Sequence, residues 1–405
     1  MNKIIFALYI LFNFNTLVAQ HANDLLQMKV DVTYLASELL EGRESGAKGE
    51  HLAAEYIVSR FEEIGLEQKG DSLWFQSFNF TFKTNPHAKG GELRVGKNVI
   101  AYLDNNAATT VVIGAHYDHL GYGHFGSLDD GEPAIHNGAD DNASGVSTLL
   151  YLARKLKKSK AKNNNYLFIG FSGEEMGLYG SKYFLKNSTI DTSKINYMIN
   201  MDMVGRLNKE RVIAVNGTGT SPTWVEELEK LTVGNLNNKN TDSGVGPSDH
   251  TSFYLENIPA LHFFTGQHMH YHKPTDDSEL INYQGLMDVS NYILQLIENL
   301  DDAGTLAFAK TKDTDNRKAA AFKVTLGVMP DYVYDGEGMR IDGVLEGRPA
   351  QLAGLEKGDV IVKMGDLEVK DIYDYMEGLA KFKKGETGKV TVKRGKKEVV
   401  KKVTF

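Results

Sequence analysis

Apolar runs of strand length alternate along the first three quarters of the chain with segments whose apolar residues recur at helical spacing. The strand-like runs are TTVVIGAH, NYLFIGFS, INYMINMD and IPALHFFTG. Helical spacing occurs in DVTYLASELL, KGEHLAAEYIVSRFEEIGL, SGVSTLLYLARKLKKSK, LYGSKYFLKN, PTWVEELEKLTV and YQGLMDVSNYILQLIENL. Strands that alternate with helices are typical of a mostly parallel sheet flanked by helices. This pattern predicts an α/β domain over residues 20–300.

The pattern changes after residue 300. Residues 301–321 are poor in large apolar side chains and rich in charge, which predicts a linker. Beyond it, short strand-like runs such as GMRIDGVL, DVIVKMGDLEV, KVTVKRG and KEVVKKVTF are separated by the short helical segments PAQLAG and IYDYMEGLAKF. Residues 322–405 are therefore predicted to form a small β-rich domain.

Residues 1–19 have the composition of a secretory signal peptide. Lys3 precedes an almost wholly apolar stretch, and Ala19 is a small residue at the predicted cleavage point before Gln20. The apolar stretch is too short to span a membrane, and no later stretch is long and apolar enough to do so. We therefore expect an exported protein, located in a bacterial periplasm or outside the cell.

The 405-residue chain contains no cysteine and has a formal net charge of −8. The absence of cysteine excludes disulfides, thiolate zinc sites, cysteine nucleophiles and a lipid anchor on a lipobox cysteine. An acidic net charge argues against a general nucleic-acid-binding protein. The length exceeds that of one ordinary core and agrees with two domains.

Metal-capable side chains end or follow each of the four apolar runs. His116 is the last residue of the first run and Asp202 of the third, while the pair Glu174 and Glu175 follows the second run and the HYH sequence at 270–272 follows the fourth. Ligands of open α/β sheets bind outside the carboxyl ends of the strands. We therefore expect these side chains to converge on one edge of the sheet.

A glycine-rich turn before a helix, NGADDNASG, adds Asp140 and Asp141 to this set. Each motif alone has a plain structural interpretation, such as an Asx turn, a solvated helix start or a His-rich surface loop. Their joint occurrence at strand ends favours a metal site, and imidazoles with carboxylates suit zinc or a similar divalent ion. Five ligand positions exceed the need of one tetrahedral zinc and fit two ions that share a bridging carboxylate.

Neighbouring side chains fit supporting roles at such a centre. Asp118 lies two residues after His116, so on an extended strand both point to the same side and Asp118 can orient the imidazole. Of the adjacent Glu174 and Glu175, one can bind metal while the other acts as general base.

The motifs GAHYDHLG, NGADDNASG, FSGEEMGLYGS, NMDMVGR, SDHTSF and YHKPTDD resemble, in this order, those of the two-zinc aminopeptidases. That family also includes glutamate carboxypeptidases and, more remotely, glutaminyl cyclases. The resemblance covers residues 24–300 and implies two Zn²⁺ ions per chain, with other divalent metals possible. The implied ligands are His116, Asp141, Glu175, Asp202 and His272, with Asp141 as the bridge.

The same resemblance implies that Glu174 is the general base, that Asp118 supports His116 and that Tyr271 donates a hydrogen bond to the oxyanion. Asp249 and its neighbour His250 are expected to line the substrate pocket, and Arg206 is expected either to contact substrate or to anchor its loop. Asp140 keeps a role in the turn. The histidines without a ligand role are expected at the rim or in the packing: His119, His124, His136, His268 and His270.

The second domain resembles the PDZ domains of exported bacterial proteases. The sequence VTLGVMP looks like a carboxylate-binding loop, in which Thr325, Leu326, Gly327 and Val328 would hold the C-terminus of a peptide. The alternative is a β-rich packing module that binds nothing.

Together these resemblances imply a secreted metallo-exopeptidase, foremost an aminopeptidase that hydrolyses N-terminal residues of peptides. A carboxypeptidase or dipeptidase uses the same metal core. A glutaminyl cyclase, which is a single-zinc acyltransferase, is an alternative enzyme class, and His116 favours a second metal and therefore hydrolysis. A non-catalytic scaffold without metal is disfavoured by the complete ligand set together with Glu174.

Overall fold

The computed structural model describes residues 21–82, 91–129, 131–311, 324–330, 334, 336–344 and 347–405. The predicted signal peptide and the second half of the predicted linker lie outside these ranges. The buried apolar residues cluster separately in the two parts of the chain, within residues 28–306 and within residues 324–405. We call these parts the first and the second domain.

A nine-stranded sheet runs through the described residues of the first domain, with the strand order β1-β3-β5-β4-β6-β9-β7-β8 and with β2 paired to β3. The central strands β5, β4, β6 and β9 are parallel to their neighbours in this group, whereas β3 and β7 join it antiparallel. The strands are β1 (Glu67–Gln68), β2 (Phe75–Phe82), β3 (Glu92–Leu103), β4 (Thr109–His116), β5 (Asn164–Phe171), β6 (Ile195–Met201), β7 (Val212–Asn216), β8 (Asn237–Thr241) and β9 (Ala260–Phe264). The predicted mostly parallel central sheet is confirmed.

Helices cover both faces of this sheet. Val111 and Ile113 of β4 belong to the cluster that includes α2, α3 and α7, whereas Val112 packs with Phe184 of α4 and Phe253 of α6. The helices are α1 (21–35), α2 (Lys48–Ile64), α3 (Gly145–Lys158), α4 (Tyr179–Lys186), α5 (Thr223–Glu229), α6 (His250–Leu255) and α7 (Tyr283–Asn299). Because both faces are covered, the central strands are apolar throughout, which made them visible in the sequence. Among the described residues, no helix has the length and apolar character required to cross a membrane.

The first part of the predicted linker packs on the first domain. Asp301 accepts hydrogen bonds from the backbone N–H groups of Lys162 and Asn163, each at 2.9 Å. Leu306 is buried, and the hydroxyl of Thr311 donates to the hydroxyl oxygen of Tyr254 at 2.8 Å. Residues 301–311 therefore pack on the first domain, and the carboxylate of Asp301 is used for hydrogen bonds within that domain.

The second domain is an antiparallel sheet with two helices, and its β-rich character confirms the prediction. The strands pair in the order β10-β11-β12-β14-β15, with β13 beside β12, so β10 lies at one edge of the described sheet. The elements are β10 (Val328–Pro330), β11 (Met339–Val344), α8 (Pro349–Leu352), β12 (Val360–Met364), β13 (Leu367–Glu368), α9 (Ile372–Ala380), β14 (Thr387–Arg394) and β15 (Lys397–Thr404). Leu326, Ile341 and Val390 are completely or almost completely buried in its core.

Candidate metal centre

The strand ends and the turn before α3 bring the five predicted ligands together around Asp141. Oδ1 of Asp141 lies 3.4 Å from Nε2 of His116, which ends β4. Oδ2 of Asp141 lies 3.2 Å from Nε2 of His272, which is in the loop after β9. The two oxygens of one carboxylate thus face two imidazoles, which is the arrangement expected of a bridging ligand.

Each imidazole also faces a second predicted ligand. Nε2 of His116 lies 3.3 Å from Oδ1 of Asp202, directly after β6. Nε2 of His272 lies 3.3 Å from Oε2 of Glu175, in the loop after β5. Asp141 therefore stands between a His116–Asp202 pair and a His272–Glu175 pair.

The donor atoms fit tetrahedral divalent ions. Ligand atoms of His116, Asp141 and Asp202 lie within 4.8 Å of one another, and so do those of His119, Asp141 and Glu175. Zinc binds nitrogen and oxygen at about 2.0–2.2 Å, so two such ligands of one tetrahedral ion are about 3.3–3.5 Å apart. The spacings of 3.2–3.4 Å around Asp141 agree with this value. We conclude that the residues of both groups suit zinc.

His119 is closer to this centre than the sequence motif indicated. Its side chain is completely buried, and Nδ1 lies 2.8 Å from Oε1 of Glu175 and 3.9 Å from Oδ2 of Asp141. We had expected His119 to be a rim or packing residue, because the resemblance assigns it no ligand role. The structure places it in contact with a predicted ligand.

The outer nitrogens of the two ligand imidazoles contact backbone carbonyls. Nδ1 of His272 lies 2.8 Å from the oxygen of Gly126, and Nδ1 of His116 lies 3.2 Å from the carbonyl oxygen of Asp118. An N–H at Nδ1 that donates to these oxygens leaves the Nε2 lone pair available for a metal ion. Both histidines thus direct Nε2 toward the predicted ligand Asp141.

The carboxylate of Asp118 lies 3.7 Å from Nδ1 of His116, farther than the Asp118 carbonyl. Its oxygens accept hydrogen bonds from the hydroxyl of Ser45 at 2.6 Å and from the backbone N–H of Glu174 at 3.1 Å. Asp118 follows the end of β4 at His116 and is not on the extended strand that the sequence argument assumed. Its carboxylate connects the candidate base to the N-terminal segment of the domain.

Glu174 and Glu175 are adjacent, but their surroundings shift their acidity in opposite directions. Desolvation, together with the charges of Asp202 and Glu175, raises the pKa of Glu174 well above its ordinary value. Burial opposes ionisation of Glu175 too, but the charge of His272 and a hydrogen bond from His119 lower the pKa of Glu175 to about 2. Neighbouring acids with separated pKa values are suited to different roles.

The ligand imidazoles lie in a strongly negative environment. Burial lowers the pKa of His116, but the charges of Asp202 and Glu174 outweigh this effect and raise it well above its ordinary value. For His272, burial acts in the same way and the charge of Glu175 again raises the pKa. A divalent ion satisfies the same carboxylates without a proton, so we expect protons and metal to compete here.

Asp140 and Asp276 hold the turn that presents Asp141. Oδ2 of Asp276 accepts hydrogen bonds from the backbone N–H groups of Asp140 at 2.8 Å and Asp141 at 3.1 Å. Oδ1 of Asp140 accepts from the N–H of Gly205 at 2.7 Å, and its Oδ2 lies 3.1 Å from Nε2 of His268. Asp140 thus has the turn role expected for it, whereas the part of Asp276 was not anticipated.

The remaining predicted site residues occupy different environments. The ring of Tyr271 stacks on His272, with ring centroids 3.8 Å apart. Arg206 is partly buried, and its backbone N–H donates to the hydroxyl of Thr265 at 3.2 Å. Asp249 is completely buried, and burial raises its pKa to about 7 despite the charge of His116. Asp249 therefore has no surface exposed to a substrate in this structure.

In the second domain, the predicted carboxylate-binding loop directly precedes the edge strand β10. The side chain of Leu326 is completely buried, while Thr325 is exposed. The N–H of Gly327 donates to the hydroxyl of Thr325 at 3.0 Å, and the carbonyl of Leu326 accepts from the N–H of Ala350 in α8 at 2.8 Å. The loop is thus anchored to the core beside an unpaired edge of the described sheet.

Comparison with known families agrees with both parts of this description. The model of peptidase family M28 matches residues 98–297, and the model of the PDZ domain matches residues 311–404. The chain is 29% identical over 195 residues to aminopeptidase YwaD of Bacillus subtilis, covering 45% of this chain and 39% of that protein. It spans about half the length, or less, of several curated relatives that it matches.

Solved structures share the fold of the first domain at low sequence identity. A zinc aminopeptidase from Bacillus subtilis aligns with a TM-score of 0.56 at 18% identity, covering 70% of this chain and 95% of that chain. A glutaminyl cyclase from Porphyromonas gingivalis aligns with a TM-score of 0.54 at 18% identity, covering 68% of this chain and 98% of that chain. Both enzymes therefore have this architecture, and the fold alone does not distinguish hydrolysis from cyclisation.

Proposed function

Because this chain belongs to peptidase family M28 and has a C-terminal PDZ domain, we propose that it is an exported aminopeptidase that uses two zinc ions. Its substrates would be peptides with a free N-terminus. Its classification as a zinc metallopeptidase follows from the family and from its aminopeptidase relatives. The number of ions, the general base and the preferred terminus are the proposed parts.

Hydrolysis is supported by the position of Glu174, which is next to the predicted ligand Glu175 and is held by the hydrogen bond of its N–H to Asp118, and the pKa directions of the two carboxyl groups agree with this assignment. The low pKa of Glu175, caused mainly by the charge of His272 against the effect of burial, keeps this carboxylate ionised as a ligand. The raised pKa of Glu174, caused mainly by desolvation, makes that carboxylate a stronger base. A ligand and a base at successive positions are what activation of water at a metal centre requires.

His116, Asp202, Glu175 and His272 would hold the two ions, with Asp141 shared between them. When bound, zinc supplies Lewis acidity that polarises the scissile carbonyl and lowers the pKa of water. Glu174 takes the proton from the attacking water and delivers it to the leaving amine. The hydrogen bond that the backbone N–H of Glu174 donates to the carboxylate of Asp118 fixes the backbone that positions the Glu174 side chain.

Tyr271 would stabilise the negative charge that develops on the carbonyl oxygen. Its ring stacks on the ligand His272, so both side chains lie at the same edge of the site. A phenol O–H that donates to the oxyanion contributes more in the transition state than in the bound substrate. Arg206 is the proposed contact for a more distant part of the substrate.

A cleavage panel of peptides with free, N-acetylated and C-amidated termini, with zinc content measured on the same samples, tests the assignment. We expect cleavage of free and C-amidated peptides, resistance of N-acetylated peptides, and two zinc ions per chain. Cleavage that requires a free C-terminus would instead identify a carboxypeptidase, and a requirement for both termini would identify a dipeptidase.

A glutaminyl cyclase is the second candidate, because an enzyme of that activity shares the fold. It would release ammonia from peptides with N-terminal glutamine and use a single zinc. The His116–Asp202 pair on one side of Asp141 and the His272–Glu175 pair on the other favour two ions and therefore hydrolysis. Ammonia release without peptide cleavage would reverse this preference.

For the second domain we propose capture of peptide C-termini. Strand β10 lies at a sheet edge where an added strand can pair, and the loop from Thr325 to Val328 leads directly into it. Titration of the full chain with a peptide and its amidated form tests this role. Tighter binding of the free carboxylate supports the proposal, and equal affinity contradicts it.

Export is the last part of the proposal and is supported by the composition of residues 1–19. N-terminal sequencing of the protein from a secreting host should begin at Gln20. A protein that retains Met1 in the cytoplasmic fraction would contradict export without affecting the proposed chemistry.

A further inference from the structure

We propose that Arg43 is a positioning residue of the metal centre, which holds the loop after His116 and the turn before Asp141 at the separation that metal binding requires. This inference rests on the proposed function, since it concerns the same centre. Arg43 lies in the sequence EGRESG, far from the motifs that supply the ligands.

The guanidinium of Arg43 joins the two segments directly. Nε donates to the carbonyl of Tyr117 at 2.8 Å, directly after the ligand His116. Nη1 donates to the carbonyl of Asn137 at 2.8 Å, and Nη2 donates to that of Gly138 at 2.9 Å. A further bond from Nη1 reaches the carbonyl of Leu35 at the end of α1. One planar group thus connects the strand-end loop, the ligand turn and a helix.

The backbone around Arg43 is fixed against the same loop. The carbonyl of Arg43 accepts a hydrogen bond from the N–H of His119, and the carbonyl of Gly42 accepts one from the N–H of Gly121, both at 2.9 Å. The hydroxyl of Ser45 binds the carboxylate of Asp118. Arg43 therefore belongs to a segment whose backbone is itself hydrogen-bonded to the loop after β4.

The position of the charge also fits this role. Arg43 is only 1% exposed, and all of its recorded hydrogen bonds are to backbone carbonyls. Burial lowers the pKa of Arg43 to about 10 although the charges of Asp141 and Asp118 act in the opposite direction, so it remains a cation at neutral pH. A fixed cation beside these acids offsets their mutual repulsion while its N–H groups set the geometry of the segments.

Lysine cannot replace this arrangement, because an ammonium group donates from one tetrahedral nitrogen and lacks the planar fork of a guanidinium. Arg43→Lys keeps the charge and removes the connection, whereas Arg43→Met removes both. Arg60→Lys is a matched control, since Arg60 on α2 is also largely buried and binds Asp31 and Glu63.

The test measures zinc affinity of the full chain by competition with a chromogenic chelator, and thermal melting of the same proteins after complete chelation. Loss of a supporting residue outside the ligand set weakens metal binding about 10- to 100-fold. We expect this loss for Arg43→Lys and at least as much for Arg43→Met, with a shifted absorption spectrum of the cobalt form. Arg60→Lys should bind zinc as wild type does, and Arg43→Lys should still fold in saturating zinc.

A lower chelated melting temperature of Arg43→Lys is compatible with the inference, because buried carbonyls lose their donors, whereas zinc affinity of Arg43→Lys equal to wild type would overturn it. Failure of both Arg43 variants to fold in saturating zinc would also overturn it, because Arg43 would then be required by the fold as a whole. A wild-type chain that binds no zinc would instead contradict the proposed function, so the two failures are distinguishable.

Discussion

Nδ1 of His119 lies 2.8 Å from Oε1 of Glu175, and this contact joins the loop after β4 to the loop after β5. His119 also stands edge-on to the ring of His272, with centroids 5.8 Å apart. His119, which the motifs do not assign as a ligand, thus contacts the proposed ligand Glu175 and packs against the proposed ligand His272. Its contribution to metal binding is open to measurement.

We expect His119→Asn to lower the affinity for one of the two zinc ions about 10- to 100-fold, because Glu175 loses the partner that orients its carboxylate. Zinc titration should then show one tight and one weakened site. His124→Asn is the control, since His124 is exposed on the same loop. Two unchanged sites in His119→Asn would show that the contact is packing only.

Glu174→Gln should retain both zinc ions and lower kcat about 10²- to 10⁴-fold, the usual contribution of a general base. The amide keeps the shape of the side chain but accepts no proton from water. Glu175→Gln provides the contrast and should lose zinc, since Glu175 is held ionised among the ligands. Near-normal turnover of Glu174→Gln at full zinc occupancy would rule out the proposed base.

Glu50 makes the unfolding free energy depend on pH. It is completely buried, and desolvation, followed by the charge of Asp118, raises its pKa well above the ordinary value of 4.5. The folded protein therefore holds this proton more tightly than the unfolded chain does. Stability from this group is complete below pH 4.5 and falls as the pH rises toward the raised pKa.

Glu50→Gln removes that dependence, so its melting temperature relative to wild type should increase as the pH rises above about 5. Thermal melts of chelated proteins between pH 4 and 9 provide the measurement. Glu55→Gln, at an exposed position of the same helix α2, is the control. A constant difference between Glu50→Gln and wild type across this range would refute the assignment.

Gly42→Ala should lower the unfolding free energy by more than the cost of an alanine in a left-handed backbone conformation. At Gly42, φ is +68°, and an added Cβ would lie 2.5 Å from the carbonyl oxygen of Gly121 and 2.7 Å from that of His136. Gly65→Ala is the matched control, because φ is +76° there and no atom lies within 4 Å of the added Cβ.

We expect Gly65→Ala to lower the unfolding free energy by about 1–2 kcal/mol, the cost of a left-handed alanine. Gly42→Ala should cost more than this in denaturant titrations. An equal loss in both variants would mean that the segment around Gly42 shifts to accept the methyl group.

The central strands were predictable because parallel strands covered on both faces are apolar at every position, as in β5 and β6. The strand β2 was overlooked although its phenylalanines are buried at alternate positions. Strand β8, Asn237–Thr241, has no apolar residue at all, so its pairing with β7 depends on tertiary context. The four central strands were therefore the ones predicted, and the strands on either side of them, β1, β2, β3, β7 and β8, were missed.

At the candidate site, four of the predicted ligands lie at or after strand ends and the fifth in the turn before α3, and the structure brings these five residues together. The residues Arg43 and Asp276, which hold the segments that carry those ligands, were not predicted from the sequence. Arg43 donates to backbone carbonyls and Asp276 accepts from backbone N–H groups, and a sequence pattern does not reveal such contacts with the backbone. The motif position of His119 predicts no ligand role, although its buried side chain contacts Glu175.

The ligands around Asp141 come from segments distributed over most of the first domain, from the end of β4 to the loop after β9. Each metal-capable group combines at least three of these segments, which are adjacent only in the folded sheet. An unfolded chain therefore offers no preformed site, and we expect zinc to bind only after these segments have come together in the folded sheet. The zinc supply of the compartment in which the chain folds, rather than that in which it is synthesised, would then set the fraction of active molecules.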